Sequence, residues 1–141
     1  MRLQIIFTSI LTIILSSCST YQIPLDSFEE QFRDNDPGQL NRVKTNTPAW
    51  GTIEYQTNKA DVIFCVDKNN KAKILKKSPS LEIRITEKSK KKTVFYADQV
   101  FVRDSLICGE RSRIINSNKC IPLKNVKLTE IQDGHKNYKY K

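Results

Sequence analysis

The chain has 141 residues with 24 Lys+Arg against 15 Asp+Glu, a formal charge of +9, one His, four Cys and four Gly. At 38% hydrophobic residues it can build one modest core, which excludes a polytopic membrane protein, and the length argues against two independent domains. So few glycines and a lone histidine leave little material for a nucleotide-binding loop or a His-based metal site.

Met1 and Arg2 make a short positive start, followed by Ile5 to Leu15, an apolar stretch of eleven residues interrupted only by Thr8, Ser9 and Thr12. A membrane-spanning helix needs about 20 apolar residues, so the stretch has the length of the hydrophobic region of an export signal. It runs into Leu15-Ser16-Ser17-Cys18, where two small residues precede a thiol. This order resembles the lipobox of bacterial lipoproteins. The resemblance implies that residues 1–17 are a cleaved signal peptide and that Cys18 becomes the first mature residue, carrying a diacylglyceryl thioether and an acylated amine. Two or three acyl chains hold a protein on a bilayer, each buried CH₂ contributing about 0.8 kcal/mol. The expected partner is therefore a lipid bilayer. Ser19, in the place where Asp favours inner-membrane retention in enteric bacteria, points to the outer membrane, facing the periplasm.

Charge is uneven along the rest. Residues 19–61 hold four basic and seven acidic residues, whereas residues 67–92 hold ten basic and three acidic. The acidic part, residues 18–49, is punctuated by Pro24, Asn35-Asp36-Pro37-Gly38 and Thr47-Pro48, and is expected to be a tether. Within it Asp26 can cap a helix over Ser27 to Arg33. Glu29 completes a capping box, and Phe28 and Phe32 share one face.

From Trp50 the apolar period becomes two. Thr52 to Gln56 alternates; Val62 to Val66 is apolar on both faces, as in a central strand. Asp67 to Asn70 predicts a hairpin into Ala72 to Leu75. Leu81, Ile83 and Ile85 alternate with polar neighbours, and Val94 to Tyr96 follows a charged connection. Ala97-Asp98-Gln99 bends the chain before Val100 to Val102. Leu106 to Cys108, Ile114-Ile115 and Val126 to Ile131 are further strands. These short strands predict an all-β, mainly antiparallel fold, a barrel or a compact sandwich with one short helix, over residues 50–135 and followed by a basic tail, 136–141, and the arrangement from Leu81 onward resembles a small SH3-like or Sm-like barrel. Ile121-Pro122-Leu123 is expected to form a helical turn before the closing strand. The segments Asp104 to Gly109, Ile121 to Val126 and Glu130 to Gly134 are similar to the carboxy-terminal pattern of small lipoproteins of the Bacteroidota, which implies a fold and a compartment but no activity.

Export would place Cys65, Cys108 and Cys120 outside the reducing cytosol. Cys108 and Cys120 flank an eleven-residue polar loop, and the sequence leaves open whether they are bridged. Cys65 is expected to be a small core residue. No Cys-x-x-Cys pair, Gly-x-Ser-x-Gly elbow or paired metal ligands occur, and His135 lies in a polar stretch. Asp98, Asp104, Glu110, Glu130 and Asp133 have no spacing that pairs two carboxylates. The expectation is thus a non-enzymatic envelope accessory or interaction domain, without metal or cofactor beyond the lipid on Cys18. Trp50, Tyr55 and Phe101 are its candidate aromatic contacts.

The alternative is a binding module for anionic lipid headgroups or glycans. If the sheet gathers Lys71, Lys73, Lys76 and Lys77 of one hairpin arm with Lys88, Lys90, Lys91 and Lys92 at one edge, they form a cationic rim whose attraction fades over a Debye length of about 8 Å. The other role of such lysines is to blunt strand edges and keep the protein soluble. No aromatic stacking motif is interleaved with them, so nucleic acid is not an expected partner.

Overall fold

A computed structural model describes residues 19–33 and 40–141. The expected signal peptide, Cys18 and the Asn35-Asp36-Pro37-Gly38 turn lie outside the described residues. Mostly antiparallel strands with one short helix make this an all-β fold, and the strands do not close into a barrel. A six-stranded sheet runs β5 (Ala72–Lys76), β4 (Val62–Val66), β1 (Thr20–Gln22), β11 (Val126–Asp133), β6 (Leu81–Glu87) and β7 (Lys92–Tyr96). A second sheet contains β8 (Val100–Arg103), β9 (Leu106–Glu110) and β10 (Asn118–Pro122). A third holds β2 (Asn41–Thr47), β3 (Gly51–Thr57) and β12 (Lys139–Tyr140).

The alternating apolar residues of β6 set the inner face of the large sheet. Ile83 lies between Ile131 of β11 and Phe95 of β7, and all three are fully buried. A 3-10 turn, Ala97–Gln99, then redirects the chain from β7 into β8, as the sequence predicts. Val100, Val102, Ile107 and Ile121 of the second sheet join Ile63, Ile83, Ile85 and Phe95 in one core. Close approach of the two sheets depends on Gly109, because a Cβ there would come within 2.9 Å of the Phe95 ring. The β8–β9 hairpin turns through Asp104 and Ser105, both at positive φ, a geometry that matches the twist of the flanking strands. A second 3-10 turn, Leu123–Asn125, precedes β11 at the expected place.

Other expectations need correction. The helix, α1, spans Leu25–Phe32, starting before Ser27, and Asp26 makes no side-chain cap. Pro24 instead holds the N-cap position with φ of −53°, and its carbonyl accepts the Phe28 N–H at 2.8 Å. Phe28 and Phe32 are buried with ring centroids 4.7 Å apart, so this face docks on the core. Nor are the segments on either side of the helix a tether: β1 is an internal strand, pairing along β11 and with β4 through Gln22 and Val66. Downstream, β2 pairs along the whole of β3. The 136–141 tail also contributes, as β12 joins Asn46 and Thr45 of β2. These strands are short or polar and their partners are distant in sequence, so local pattern hides them.

β4 is flanked by β5 and β1, but only its inner face, Ile63 and Cys65, is buried. Phe64 is 51% exposed on the outside. Ile114 and Ile115 are not a strand; they project from the loop between β9 and β10, 51% and 70% exposed.

Candidate functional site

The 3-10 turn after β7 places Asp98 where three distant segments meet. Asp98 is fully buried. Its Oδ1 accepts Arg113 Nη2 at 2.8 Å, and its Oδ2 accepts the Tyr55 and Tyr140 hydroxyls at 2.9 and 2.7 Å. Tyr55 comes from β3, Tyr140 from β12 and Arg113 from the β9–β10 loop. Because the Tyr55 proton is committed to Asp98, the 2.8 Å contact with Thr45 has the threonine as donor. The Asp98 backbone carbonyl also accepts the Asn58 N–H at 2.8 Å.

Arg113 is held by several groups in turn, although its buried Nε has no hydrogen-bond partner. Its guanidinium donates to Gln99 Oε1 at 2.7 Å and to the Pro79 carbonyl at 2.8 Å, and it lies 4.4 Å from the Tyr55 ring centroid and 3.9 Å from that of Tyr96. Cation–π contact and a charge-assisted hydrogen bond are both stronger where water is excluded. Burial, followed by the neighbouring Asp98 charge, pushes the Tyr55 and Tyr140 hydroxyls far above their ordinary range. At the rim, Lys136 reaches Glu82 at 2.7 Å and the Tyr96 hydroxyl at 3.0 Å. Burial draws the Lys136 ammonium down, but these partners outweigh it and the net direction is upward.

With both oxygens occupied by protein donors, Asp98 acts as a clasp joining the third sheet, the 97–99 turn and the β9–β10 loop. That loop is closed by a Cys108–Cys120 disulfide between directly opposed residues of β9 and β10, with Cα atoms 4.1 Å apart. Beside it lies an open cavity of about 290 Å³ lined by Tyr55, Gln99, Arg113, Glu110, Ile114 and Ile115.

The other candidate residues are dispersed. Cys65 is buried on β4, its thiol directed to the Lys73 carbonyl at 3.7 Å, and burial pushes its pKa up. His135 is on the exposed turn after β11, where its backbone N–H donates to Asp133 at 2.8 Å. Glu110 accepts the Ser117 N–H at 3.1 Å, Glu130 pairs with Arg84 at 3.2 Å, and Asp104 occupies the β8–β9 turn. Among the described residues no group of three or more His, Cys, Asp or Glu is placed to hold a metal ion. Trp50 is 62% exposed at the tip of the β2–β3 hairpin, while Phe101 is half-buried beside the end of α1.

The lysines of the expected rim do not share an edge. Lys71, Lys73 and Lys76 belong to the β4–β5 hairpin at one edge of the large sheet, whereas Lys88, Lys90 and Lys91 of the β6–β7 turn and Lys92 at the start of β7 lie at the other edge, with four strands between β5 and β7. Lys77 bends inward, its ammonium donating to the Asn58 carbonyl at 2.9 Å, and burial lowers its pKa. Lys119 of β10 lies near Lys91; burial and that like charge lower its pKa.

Sequence reasoning named Asp98 only within a scattered group of carboxylates and did not find its partners. Tyr55, Arg113 and Tyr140 are separated from it by other elements, and only the assembled sheets unite them. Comparison with protein-family models, with curated proteins and with solved structures finds no match to this chain.

Proposed function

We propose that this protein is an exported lipoprotein, fixed through acylated Cys18 to the outer membrane and facing the periplasm, whose β-domain works without catalysis as an accessory or interaction domain. The observation that carries the reading is the order of Arg2, the Ile5–Leu15 stretch and Leu15-Ser16-Ser17-Cys18. Two structural features support it. Among the described residues, strand pairing starts at Thr20, so the fold uses the chain close to the residue that cleavage would make the first. The Cys108–Cys120 bridge belongs to an oxidising compartment, as the periplasm is.

A scaffold role also suits the way the most elaborate polar cluster is used, since Asp98 spends its carboxylate on three internal donors. The rim alternative has less support, because its lysines divide between two sheet edges.

The test is expression of the Cys18→Ala form beside the parent, with fatty-acid labelling and cell fractionation. The parent should be labelled and membrane-bound and the variant should persist as an unlabelled precursor. Equal labelling of the two would remove the assignment, and crosslinking of the anchored parent would identify its protein partner.

A further inference from the structure

The absence of a tether brings a defined part of the domain to the bilayer. Two peptide units separate Cys18 from Thr20, a reach of about 7 Å however the chain runs. Thr20 pairs with Gln132 in the middle of the large sheet. The glycerol of an acylated cysteine sits at the hydrocarbon boundary, and each headgroup layer is roughly 5–8 Å thick. The Thr20 end of the sheet then has no slack with which to rise clear of the headgroups.

At that end, beside β1, lies the β4–β5 hairpin turn. Its position follows from register: Gln22 opposes Val66, so Asp67 and Lys68 continue alongside Tyr21 and Thr20. The two segments enclose a cleft of about 460 Å³ lined by Ser19, Thr20, Tyr21, Lys68, Asn69 and Lys73, together with Asp67. Lys71 is on the same turn. Lys68, Asn69 and Lys73 thus line the cleft together with Ser19, Thr20 and Tyr21, the residues that follow the lipid attachment point, and these residue types supply donors suited to a phosphate diester. Asp67 is the carboxylate in the wall. Its Oδ1 accepts the backbone N–H groups of Asn69 and Lys71 at 2.8 and 2.9 Å, which holds the turn in shape. The nearby carboxylates are also engaged, Glu130 with Arg84 and Asp133 with the His135 N–H. Over residues 67–73 three lysines face one acid, so the turn is cationic.

Resting on the lipoprotein reading, we propose that this cleft is a membrane-contact site that takes the headgroups of anionic phospholipids through Lys68 and Lys73, with Lys71 on the adjoining turn meeting the same surface. Binding there fixes the orientation of the domain. The β6–β7 turn, with Lys88, Lys90, Lys91 and Lys92, is at the opposite end of the sheet, since Glu87 opposes Val126 while Leu81 opposes Asp133. That lysine-rich turn points away from the bilayer.

The test uses the native acylated protein reconstituted in two vesicle types, phosphatidylethanolamine alone and phosphatidylethanolamine with phosphatidylglycerol. A membrane-impermeant amine reagent is applied to both, and modification at each lysine is read by peptide mass spectrometry, which also reports the state of Cys18. A basic residue near an anionic surface gains about 1 kcal/mol, so Lys68, Lys71 and Lys73 should each react about fivefold more slowly on the anionic vesicles. Lys88, Lys90, Lys91 and Lys92 should react equally on both. Acylated Cys18 with identical reactivity at Lys68, Lys71 and Lys73 on the two vesicles overturns the headgroup site and leaves the lipoprotein reading intact. An unmodified Cys18 overturns both.

Discussion

Arg113 reaches Asp98 at 2.8 Å from a disulfide-closed loop, and the two side chains are 1% and 0% exposed. An ion pair so deeply buried adds little over an apolar pair of the same shape, but losing one partner strands the other charge. Arg113→Met should therefore lower stability by about 3–5 kcal/mol in urea unfolding. Asp98→Asn added to it should cost much less than the sum of the two single changes, because the pair is coupled. Additive losses would show that the two do not act as a unit.

Alkali should attack the same clasp. Burial and the Asp98 charge raise the Tyr55 and Tyr140 pKa values in the folded chain above the ordinary 10.0. A phenol that binds its proton more tightly when folded adds stability below the unfolded value and loses it as pH climbs from there toward the folded value. Stability should thus fall above about pH 10, with phenolate absorbance from these two residues appearing only together with unfolding. Tyr140→Phe should weaken that dependence. Full ionisation of every tyrosine in a chain that stays folded would contradict it.

Reduction of Cys108–Cys120 releases the loop that carries Arg113. Closing a loop of this size restricts the unfolded chain by roughly 3 kcal/mol. The Cys108→Ser, Cys120→Ser double variant should lose about that much and expose Arg113 to faster proteolysis at the loop. Unchanged stability and cleavage would show the loop to be held by Asp98 and the tyrosine rings alone.

Helix α1 finishes a sheet edge that β1 leaves bare. Beyond the Gln22–Val66 pair, the Gln31 amide takes the place of a strand: its Oε1 accepts the Phe64 N–H at 2.7 Å and its Nε2 donates to the Phe64 carbonyl at 3.0 Å. Gln31→Ala should cost about 1–2 kcal/mol. Phe28→Ala, which empties a fully buried site, should cost about 3–5 kcal/mol. Thermal unfolding of both variants checks the order, and a larger loss for Gln31→Ala would refute it.

What the chain reveals about itself divides along physical lines. Strands with strong period-two alternation, such as Leu81-Glu82-Ile83-Arg84-Ile85, declare their buried face, and Asp67 to Asn70 declares its turn because those residues favour its backbone geometry. Thr20 to Gln22 and Lys139-Tyr140 declare nothing: three- and two-residue strands have no period, and their partners lie far away in sequence. The cluster around Asp98 was hidden for the same reason, as each contributor is an ordinary polar or aromatic residue until the sheets assemble. The lysine rim failed through topology. Composition places the lysines in successive segments, but the insertion of β1 and β11 drives β5 and β7 to opposite edges.

The lipid that we propose on Cys18 is tested outright by the mass of the amino-terminal peptide from protein extracted from membranes. A chain beginning at residue 18, heavier by a diacylglyceryl group and an N-acyl chain, is the predicted result. A peptide that begins elsewhere, or one that contains Cys18 as an unmodified thiol, would contradict the account.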